Sequence, residues 1–432
     1  MTVAGGVAVV GSGISGLAAA YHLHRAGRQV QIIERDATAG GRFGAGRIGE
    51  RPVLAGARLI GHKYTAVREF LSALGSFDLE PYPVPPVGVL SGSGVDLDPR
   101  AAARIGQRLI ETGAAPHHIA KLSYLMTRAR DTDGVLNSRY VAKLAEIGDQ
   151  QPLSAHFGST IAESVLRPMT VWAHGAEPDE VYMSSFGAVA ATLSDRFDQL
   201  GDGLAPVLAA LGRRVPLRTR TTATRLIVRE GRVRGLEVVD ADNTTRETDY
   251  DAVVLATSGR AAADLVAADF PALAALLAQL RYRSATVALV EYDRAVFPPA
   301  LAALAFDDAS CCSAAVQSTG WRELIRYTFT GRAAATIPSP QEFRKWLENA
   351  EDRVTTHLGT SLPDRRAVAI WRCAVAYCRY PPFHTEFVGK VDRELADIAG
   401  LALAGDYLRG TSLEACYRSG AAAAARVLGE TG

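Results

Sequence analysis

The chain has 432 residues, of which 47 are lysine or arginine and 46 are aspartate or glutamate, so its formal net charge is +1. This balance argues against a nucleic-acid-binding protein, and no apolar run approaches the length of a membrane-spanning helix. The five cysteines form no CxxC pair, which argues against a metal site. The first predicted strand begins within a few residues of the start, which leaves no room for a signal peptide. Together with the odd number of cysteines, this predicts a cytoplasmic protein. The length predicts two or three domains.

The first forty residues carry the most informative pattern in the chain. An apolar run at residues 7–10 predicts a buried parallel strand, and the sequence GSGISG at residues 11–16 leads from it into a helix over residues 17–26. A second apolar run, residues 30–33, ends at Glu34. This order of strand, glycine-rich turn, helix, strand and acid is typical of a dinucleotide site.

The three glycines of this turn have separate predicted roles. Gly11 permits the tight turn, Gly13 lets the backbone approach a pyrophosphate, and Gly16 lets the helix pack closely on the strand. Glu34 is spaced to bind ribose hydroxyls, and a carboxylate there disfavours a 2′-phosphate. At this point NAD and FAD both remain candidates.

The rest of the chain suggests two interleaved domains. A stretch rich in proline and glycine at residues 80–98 predicts a crossing between domains, and helical patterns dominate from there to about Leu166. Apolar runs predict strands at residues 217–227, 233–239, 251–257, 285–292, 324–329 and 401–406. A last helix is predicted over residues 412–428, with Thr411 and Glu414 at the spacing of a capping box.

Gly405-Asp406 before this last helix completes a pattern that resembles the FAD-dependent amine oxidase superfamily, which includes protoporphyrinogen oxidases and phytoene desaturase-like enzymes. The resemblance is strongest over residues 7–61, 201–258 and 401–426. It implies an α/β fold in which a Rossmann-type FAD-binding domain is interleaved with an α+β substrate-binding domain, as in amine oxidases and p-hydroxybenzoate hydroxylase. It therefore selects FAD rather than NAD. The predicted FAD-binding segments are residues 1–85, 201–275 and 386–432, and the substrate-domain segments are residues 86–200 and 276–385.

The resemblance also implies which residues bind FAD, from the ADP half through the pyrophosphate to the flavin ring. In chain order they are Gly11, Ser12, Gly13, Ile14, Ser15, Gly16, Glu34, Arg35, Gly40, Gly41, Arg42, Gly56, Ala57, Arg58, Leu59, Ala223, Ala256, Thr257, Gly405, Asp406, Thr411, Ser412 and Leu413.

Two positions depart from the family pattern. Monoamine and polyamine oxidases usually carry a lysine in a strand like residues 285–292, and Val287 stands there. They also often place an aromatic residue after the glycine that corresponds to Gly410, where this chain has Thr411. Oxidation of simple primary amines is therefore not the expected reaction, and the chain is more similar to the protoporphyrinogen oxidase branch.

The candidate catalytic residues are Arg58, His62 and Tyr377. Arg58 would bind a substrate carboxylate or polarise the flavin, His62 would act as a base, and Tyr377 would lie near the flavin. For each there is a structural alternative: a pyrophosphate or surface arginine, a histidine bonded to backbone, and a core tyrosine. Further candidates with the same ambiguity are Lys63, Trp172, His174 (predicted on a strand), Tyr380 and the adjacent Cys311-Cys312.

The sequence thus predicts an FAD-dependent oxidase or desaturase. It would transfer a hydride to flavin N5 from a small, largely apolar or cyclic metabolite, with oxygen or another acceptor reoxidising the flavin. The alternatives are an amine or amino-acid oxidase in which Arg58 binds the carboxylate, and a non-redox flavoprotein such as an isomerase, cyclase or binding protein. The basic stretch from Arg100 to Arg130 predicts a solvated helix face, with membrane contact as the alternative. A monomer or homodimer is expected.

Overall fold

The computed structural model describes residues 6–82, 87–90, 93–95, 110–111, 113–129, 139–299, 301–306 and 310–430. Arg100, Arg104, Arg108 and Arg130 of the basic stretch lie outside these ranges. Within the described part, no helix is both long and apolar enough to cross a membrane.

In chain order the described strands are β1 (Gly6–Val10), β2 (Gln29–Ile33), β3 (Ala45–Ile48), β4 (Arg51–Leu54), β5 (Ile60–Gly61), β6 (Leu79–Tyr82), β7 (Val87–Leu90), β8 (Ser93–Val95), β9 (Phe197–Leu200), β10 (Leu217–Arg218), β11 (Thr222–Arg229), β12 (Arg232–Val239), β13 (Thr245–Asp249), β14 (Ala252–Leu255), β15 (Arg281–Tyr292), β16 (Ala303–Ala305), β17 (Cys311–Ser318), β18 (Trp321–Phe329), β19 (Arg365–Arg379) and β20 (Leu401–Leu403). The described α-helices are α1 (Ile14–Arg25), α2 (Thr65–Leu74), α3 (Pro116–Arg128), α4 (Arg139–Gly148), α5 (Leu153–His156), α6 (Ser159–Ile161), α7 (Arg167–His174), α8 (Phe186–Ser194), α9 (Ala205–Gly212), α10 (Gly259–Val266), α11 (Pro271–Leu277), α12 (Pro340–Leu358), α13 (His384–Ala396), α14 (Asp406–Arg409) and α15 (Leu413–Glu430).

A five-stranded parallel sheet in the order β10-β2-β1-β14-β20 forms the first domain, which confirms the Rossmann-type prediction. Every residue of β1, β14 and β20 is buried, because helices cover both faces of such a sheet. Helices α1, α2 and α15 pack on one face, and α10, α11 and α13 on the other. The sheet takes its strands from the beginning, middle and end of the chain. The exact domain boundaries stay a prediction.

A seven-stranded sheet in the order β19-β15-β18-β17-β16-β7-β8 forms the second domain. Its strands alternate between two faces. One face, which includes Val290 and Ile325, packs on α12, and the other, which includes Leu289 and Leu324, faces the β3–β4 hairpin of the first domain. Helix α12 begins with a complete capping box between Ser339 and Glu342. Helices α3 to α8 build a helical unit with its own core beside this sheet.

Two local predictions are wrong. The strand predicted over residues 217–227 is split into β10 and β11, because Arg220 adopts a left-handed conformation with φ of 52° and breaks the extended run. The segment at Trp172 and His174, predicted as a strand, is the helix α7, which ends at a left-handed Gly175.

Candidate functional site

The predicted cofactor residues lie at one edge of the parallel sheet. Gly11, Glu34, Ala256 and Gly405 each follow the carboxyl end of a strand, namely β1, β2, β14 and β20. In parallel sheets these ends meet at the same edge, where open α/β folds bind their ligands. The fold therefore brings together segments that are almost four hundred residues apart in the chain.

The glycine-rich turn is closed at two glycines and open at the third. Gly11 has φ of +100°, and a Cβ there would lie 2.6 Å from the Ala256 carbonyl oxygen. A Cβ on Gly16 would lie 1.9 Å from the Gly11 carbonyl oxygen, so α1 touches the turn directly. A Cβ on Gly13 would meet no atom within 4 Å. The turn thus leaves an open approach to its backbone at Gly13, which fits a bound pyrophosphate.

Hydrogen bonds of Glu34 and Ser12 connect this turn to the glycine pair at residues 40–41. Its buried carboxylate accepts hydrogen bonds from the Ser12 amide at 2.9 Å, the Ser12 hydroxyl at 2.5 Å and the Asp36 amide at 2.9 Å. The Ser12 hydroxyl oxygen also accepts a bond from the Gly40 amide at 3.1 Å. Oε2 accepts both bonds from Ser12, whereas Oε1 accepts only the Asp36 amide, so Oε1 keeps acceptor capacity for a ribose hydroxyl.

Arg42 and Asp406 form an ion pair across the centre of the site. The Arg42 guanidinium also donates to the Ala376 carbonyl at 3.3 Å, which ties it to the end of β19. The Tyr380 hydroxyl donates to the Asp406 backbone carbonyl at 2.8 Å, and the Tyr282 hydroxyl lies 3.4 Å from its carboxylate. The Arg42 side chain keeps 35% of its exposure while Asp406 keeps 2%, so the arginine faces the accessible side of the site.

The other predicted cofactor residues differ in how accessible they are. Ala57 is exposed, and Gly41, Gly56, Leu59, Thr257, Thr411 and Ser412 keep part of their accessible surface, as expected for positions that line a groove. Ala223 lies in a three-stranded antiparallel sheet opposite Val238, and Arg35 is exposed beside Asp36. Ile14, Ser15 and Leu413 are buried at helix starts. The open turn and this accessible lining fit an extended dinucleotide.

Arg326 is a site residue that the sequence analysis did not single out. It projects from β18, and its guanidinium donates to the carbonyls of Leu54 at 3.1 Å, Ala55 at 2.9 Å and Gly56 at 3.1 Å. Burial, with the nearby Arg58 charge, lowers the pKa of Arg326 to about 9. The register pairs Val287 with Thr328, so Arg326, two residues from Thr328, shares a sheet face with Val287. A cation thus reaches this face from the neighbouring strand.

Arg58 is buried in a polar cluster in which Glu80 supplies a nearby negative charge. Its guanidinium donates to the Gln317 side-chain carbonyl at 2.9 Å and to the Tyr82 hydroxyl, and it lies 4.2 Å from the centre of the Tyr82 ring. Burial lowers the pKa of Arg58 from its ordinary value. Among the described residues, no carboxylate forms an ion pair with it. The structure therefore places a buried cation where an anionic ligand group would compensate its charge.

Tyr377 and Thr411 both lie against the C-terminal end of α7. A Cβ on Gly175 would lie 2.7 Å from the Tyr377 ring, so this ring packs directly on the turn that ends the helix. The preceding His174 has its Nδ1 3.5 Å from the Thr411 hydroxyl, and its Nε2 has no partner among the described residues. Burial raises the pKa of Tyr377 to about 12, so the phenol is neutral at physiological pH. Trp172 is partly buried on the same helix.

His62 lies apart from this cluster. Its Nε2 is 3.2 Å from the Asp198 carboxylate on β9, which also pairs with Arg68 at 2.6 Å, and half of the His62 side chain is exposed. Gln199, which follows Asp198 on β9, donates from its side-chain amide to the Gln317 backbone carbonyl, on the side where Arg58 lies. Because neighbouring strand residues face opposite ways, His62 and Arg58 lie on opposite sides of β9. The amide of Lys63 binds Asp195.

The capping box predicted for the last helix is wrong. Ser412, rather than Thr411, caps α15 by accepting the Ala415 amide at 3.1 Å. The buried Glu414 carboxylate instead accepts the Ala66 and Val67 amides, both at 2.9 Å, at the start of α2. Spacing alone could not show this, because the helix that Glu414 caps is distant in sequence.

Five cysteines lie in the described part of the chain, and four of them are buried. All five are free, and no group of metal-ligating side chains is found there. Burial raises the pKa of Cys312 to about 11, so its thiol stays protonated.

His174 predicts how stability depends on pH. Burial lowers its pKa from 6.5 to about 4, so between these values the folded chain binds fewer protons than the unfolded chain. Stability is then complete above about pH 6.5 and falls as the pH approaches 4, by about 3 kcal/mol for this residue. We expect His174→Leu to reduce the difference in denaturant midpoint between pH 7 and pH 5, and the exposed His117→Gln to leave it unchanged. An unchanged difference in His174→Leu would contradict this account.

Comparison with known proteins agrees with this geometry. The model of the flavin-containing amine oxidoreductase family matches residues 14–428. Cyclohexylamine oxidase from Brevibacterium oxydans is 19% identical with a TM-score of 0.72, and an assigned protoporphyrinogen oxidase from Exiguobacterium is 17% identical with a TM-score of 0.69. Each pairing covers 99% of both chains. A redesigned putrescine oxidase is 14% identical with a TM-score of 0.69, over 98% of both chains.

A search of the curated proteins gave no match. The solved structures confirm the predicted two-domain fold, and the family match confirms FAD as the cofactor. The chain therefore belongs to the flavin-containing amine oxidoreductase family and is an FAD-dependent oxidoreductase.

Proposed function

We propose that the protein oxidises a small, largely apolar or cyclic metabolite by two electrons, with oxygen or another acceptor taking the electrons afterwards. Bound FAD supplies the hydride acceptor. The face of the second sheet that bears Val287 supports an apolar substrate, because Val287 is buried and its cross-strand neighbour Trp371 keeps accessible surface. We place the reaction in the cytoplasm, in a monomer or homodimer.

The predicted cofactor residues would divide the binding of FAD among them. The open backbone at Gly13 and the α1 N-terminus would hold the pyrophosphate, and Glu34 the ribose of the ADP half. Arg42 would neutralise phosphate charge from the accessible side of its ion pair with Asp406. The α15 start at Ser412 would direct its free amides to the flavin end.

The chain's own side chains would orient the substrate and keep water away. Tyr377 is neutral, so it would serve as a wall and a hydrogen-bond donor rather than as a base. His62 remains a candidate base, although its contacts with Asp198 place it on the far side of β9. The arrangement therefore favours a reaction in which the substrate needs little help with proton removal.

A second candidate, oxidation of an amine or amino acid that carries a carboxylate, is favoured by Arg58. Its two hydrogen bonds, to Gln317 and Tyr82, are with neutral groups, and the adjacent Arg326 adds a second positive charge. Glu80 acts on Arg58 from nearby but forms no ion pair with it. A buried cation without a directly bonded counter-ion is costly, and a substrate carboxylate would reduce that cost while fixing the orientation of the substrate. The burial of the Arg58 guanidinium is the observation that favours a substrate with a carboxylate over an uncharged one.

Benzoate and benzamide test the role of Arg58, because they share a ring and differ in charge. We expect benzoate to perturb the visible flavin spectrum of the FAD-loaded enzyme and to bind about a hundredfold more weakly to Arg58→Met, since a charged hydrogen-bonded pair is worth about 3 kcal/mol. Arg28→Met, at a surface ion pair with Asp251, is the matched control. Equal binding of benzoate and benzamide would contradict a role of Arg58 in binding a substrate carboxylate.

A non-redox role remains a third proposal. It would be favoured if the FAD-loaded protein were reduced by dithionite but by no apolar, amine or amino-acid substrate.

A further inference from the structure

Two neighbouring helices of the helical unit share an outer face that mixes aromatic, basic and apolar side chains. On α3 this face carries Tyr124 and Arg128, which are four residues apart, and on α4 it carries Tyr140, Lys143 and Ile147, at intervals of three and four. Such intervals place side chains on the same side of a helix. We call these five residues the aromatic–basic face.

The face is continuous across the two helices. The Tyr124 and Tyr140 rings meet edge to face with their centres 5.9 Å apart. The Arg128 guanidinium lies 4.7 Å from the first ring centre and 5.8 Å from the second, so it covers both. Tyr124, Tyr140 and Arg128 are therefore in direct contact, and Lys143 and Ile147 continue the same side of α4.

Packing of the helical unit does not account for this face. The two helices bury their opposite sides in the core through Leu122, Leu125, Val141 and Ala145. On the aromatic–basic face, by contrast, Ile147 is 78% exposed, Tyr124 46% and Tyr140 39%. Large side chains left this accessible beside cations are typical of a surface that meets a partner.

We propose that the aromatic–basic face docks on an anionic lipid surface. Tyrosine rings sit at the level of lipid headgroups, because one end of the ring is apolar and the other polar. Arg128 and Lys143 place their charges among anionic headgroups while their stems cover apolar surface. Ile147, which is more exposed than either tyrosine, enters the boundary of the acyl chains. Glu146 at the border of the face is the acid nearest to it along α4.

A lipid surface suits these residues better than an acidic protein. Charge alone would suit either partner, but an exposed isoleucine on the same face as two tyrosines and two cations gains most from an apolar phase beneath a charged layer. Docking would also place the enzyme where an apolar metabolite is concentrated. The inference itself does not depend on the proposed reaction.

Co-sedimentation of the FAD-loaded protein with lipid vesicles tests the proposal. We expect binding to vesicles rich in phosphatidylglycerol, weak binding to phosphatidylcholine vesicles, and loss of binding at about 0.5 M salt, where charges are screened. Ile147→Asp and Arg128→Glu should each lower the bound fraction about tenfold. Val368→Asp is the matched control, since Val368 is 42% exposed on β19 in the second domain.

Flavin absorbance of each variant shows that it is folded and loaded. The proposal is overturned if the wild-type protein does not sediment with anionic vesicles, or if Val368→Asp lowers binding as much as Ile147→Asp does. Binding to soluble polyglutamate without binding to vesicles would assign the face to an acidic protein instead.

Discussion

Gly13→Ala is expected to abolish FAD binding while leaving the stability of the apoprotein within about 1 kcal/mol of wild type. The backbone at Gly13 is extended, with φ of −65°, and an added Cβ would meet no protein atom within 4 Å. The methyl group would instead occupy the approach that we assign to the pyrophosphate. Gly16→Ala should behave differently, because its Cβ would lie 1.9 Å from the Gly11 carbonyl oxygen. It should destabilise the apoprotein itself by about 3 kcal/mol.

Thermal unfolding of the apoproteins and fluorescence titration with FAD separate these two effects. Gly429→Ala is the control, since it lies in α15 with no atom within 4 Å of the added Cβ and should leave FAD affinity unchanged. We expect at least a hundredfold loss of affinity for Gly13→Ala, about 3 kcal/mol. Wild-type affinity in Gly13→Ala would show that the pyrophosphate does not pass over this residue.

Arg326→Met should weaken both the fold and the flavin site. The substitution removes the donors to three consecutive carbonyls, at Leu54, Ala55 and Gly56, in the loop that leads to Arg58. Loss of hydrogen bonds from a buried charged group predicts a destabilisation of about 3 kcal/mol, reduced somewhat because repulsion from Arg58 is relieved. The loosened loop should also change the visible circular dichroism of the bound flavin and raise the KM.

Arg322 gives a closely matched control for Arg326. It lies on the same strand and also donates to three carbonyls, those of Phe297, Pro298 and Leu301, at 3.3, 2.7 and 2.8 Å. Those carbonyls lie outside the loop of residues 54–57 that we assign to the flavin. Arg322→Met should therefore lower the melting temperature without altering the flavin signal. If both variants change the flavin signal equally, Arg326 has only a general structural role.

The cofactor half of the fold could be predicted from sequence because its signals are local. A turn that needs glycine at residues 11–16, an acid at the end of β2 and apolar runs for buried strands each depend on neighbouring residues. The split between β10 and β11 could not be predicted, because the left-handed residue there is Arg220. Glycine and asparagine are the residues whose presence usually indicates that conformation.

The substrate half could not be predicted in the same way, because its contacts are long-range. Arg326 reaches the carbonyls of residues 54–56 only because β15 and β18 pair in one register. Arg58 forms its hydrogen bond with Gln317, which lies 259 residues later in the chain. The partner of Glu414 is likewise at the start of a helix 348 residues away. The start of α12, by contrast, has a local signal in the capping-box spacing of Ser339 and Glu342.

Anaerobic reduction of the purified FAD-loaded protein tests the central claim most directly. The visible flavin absorbance is followed while ring-containing carboxylates, their neutral amides, amines and amino acids are added in turn. We expect rapid two-electron bleaching by at least one apolar or cyclic substrate, and recovery of the absorbance with oxygen or another acceptor. If that substrate carries a carboxylate, the rate at low substrate concentration should be lower in Arg58→Met. A flavin that dithionite reduces but that none of these compounds bleaches would contradict the claim.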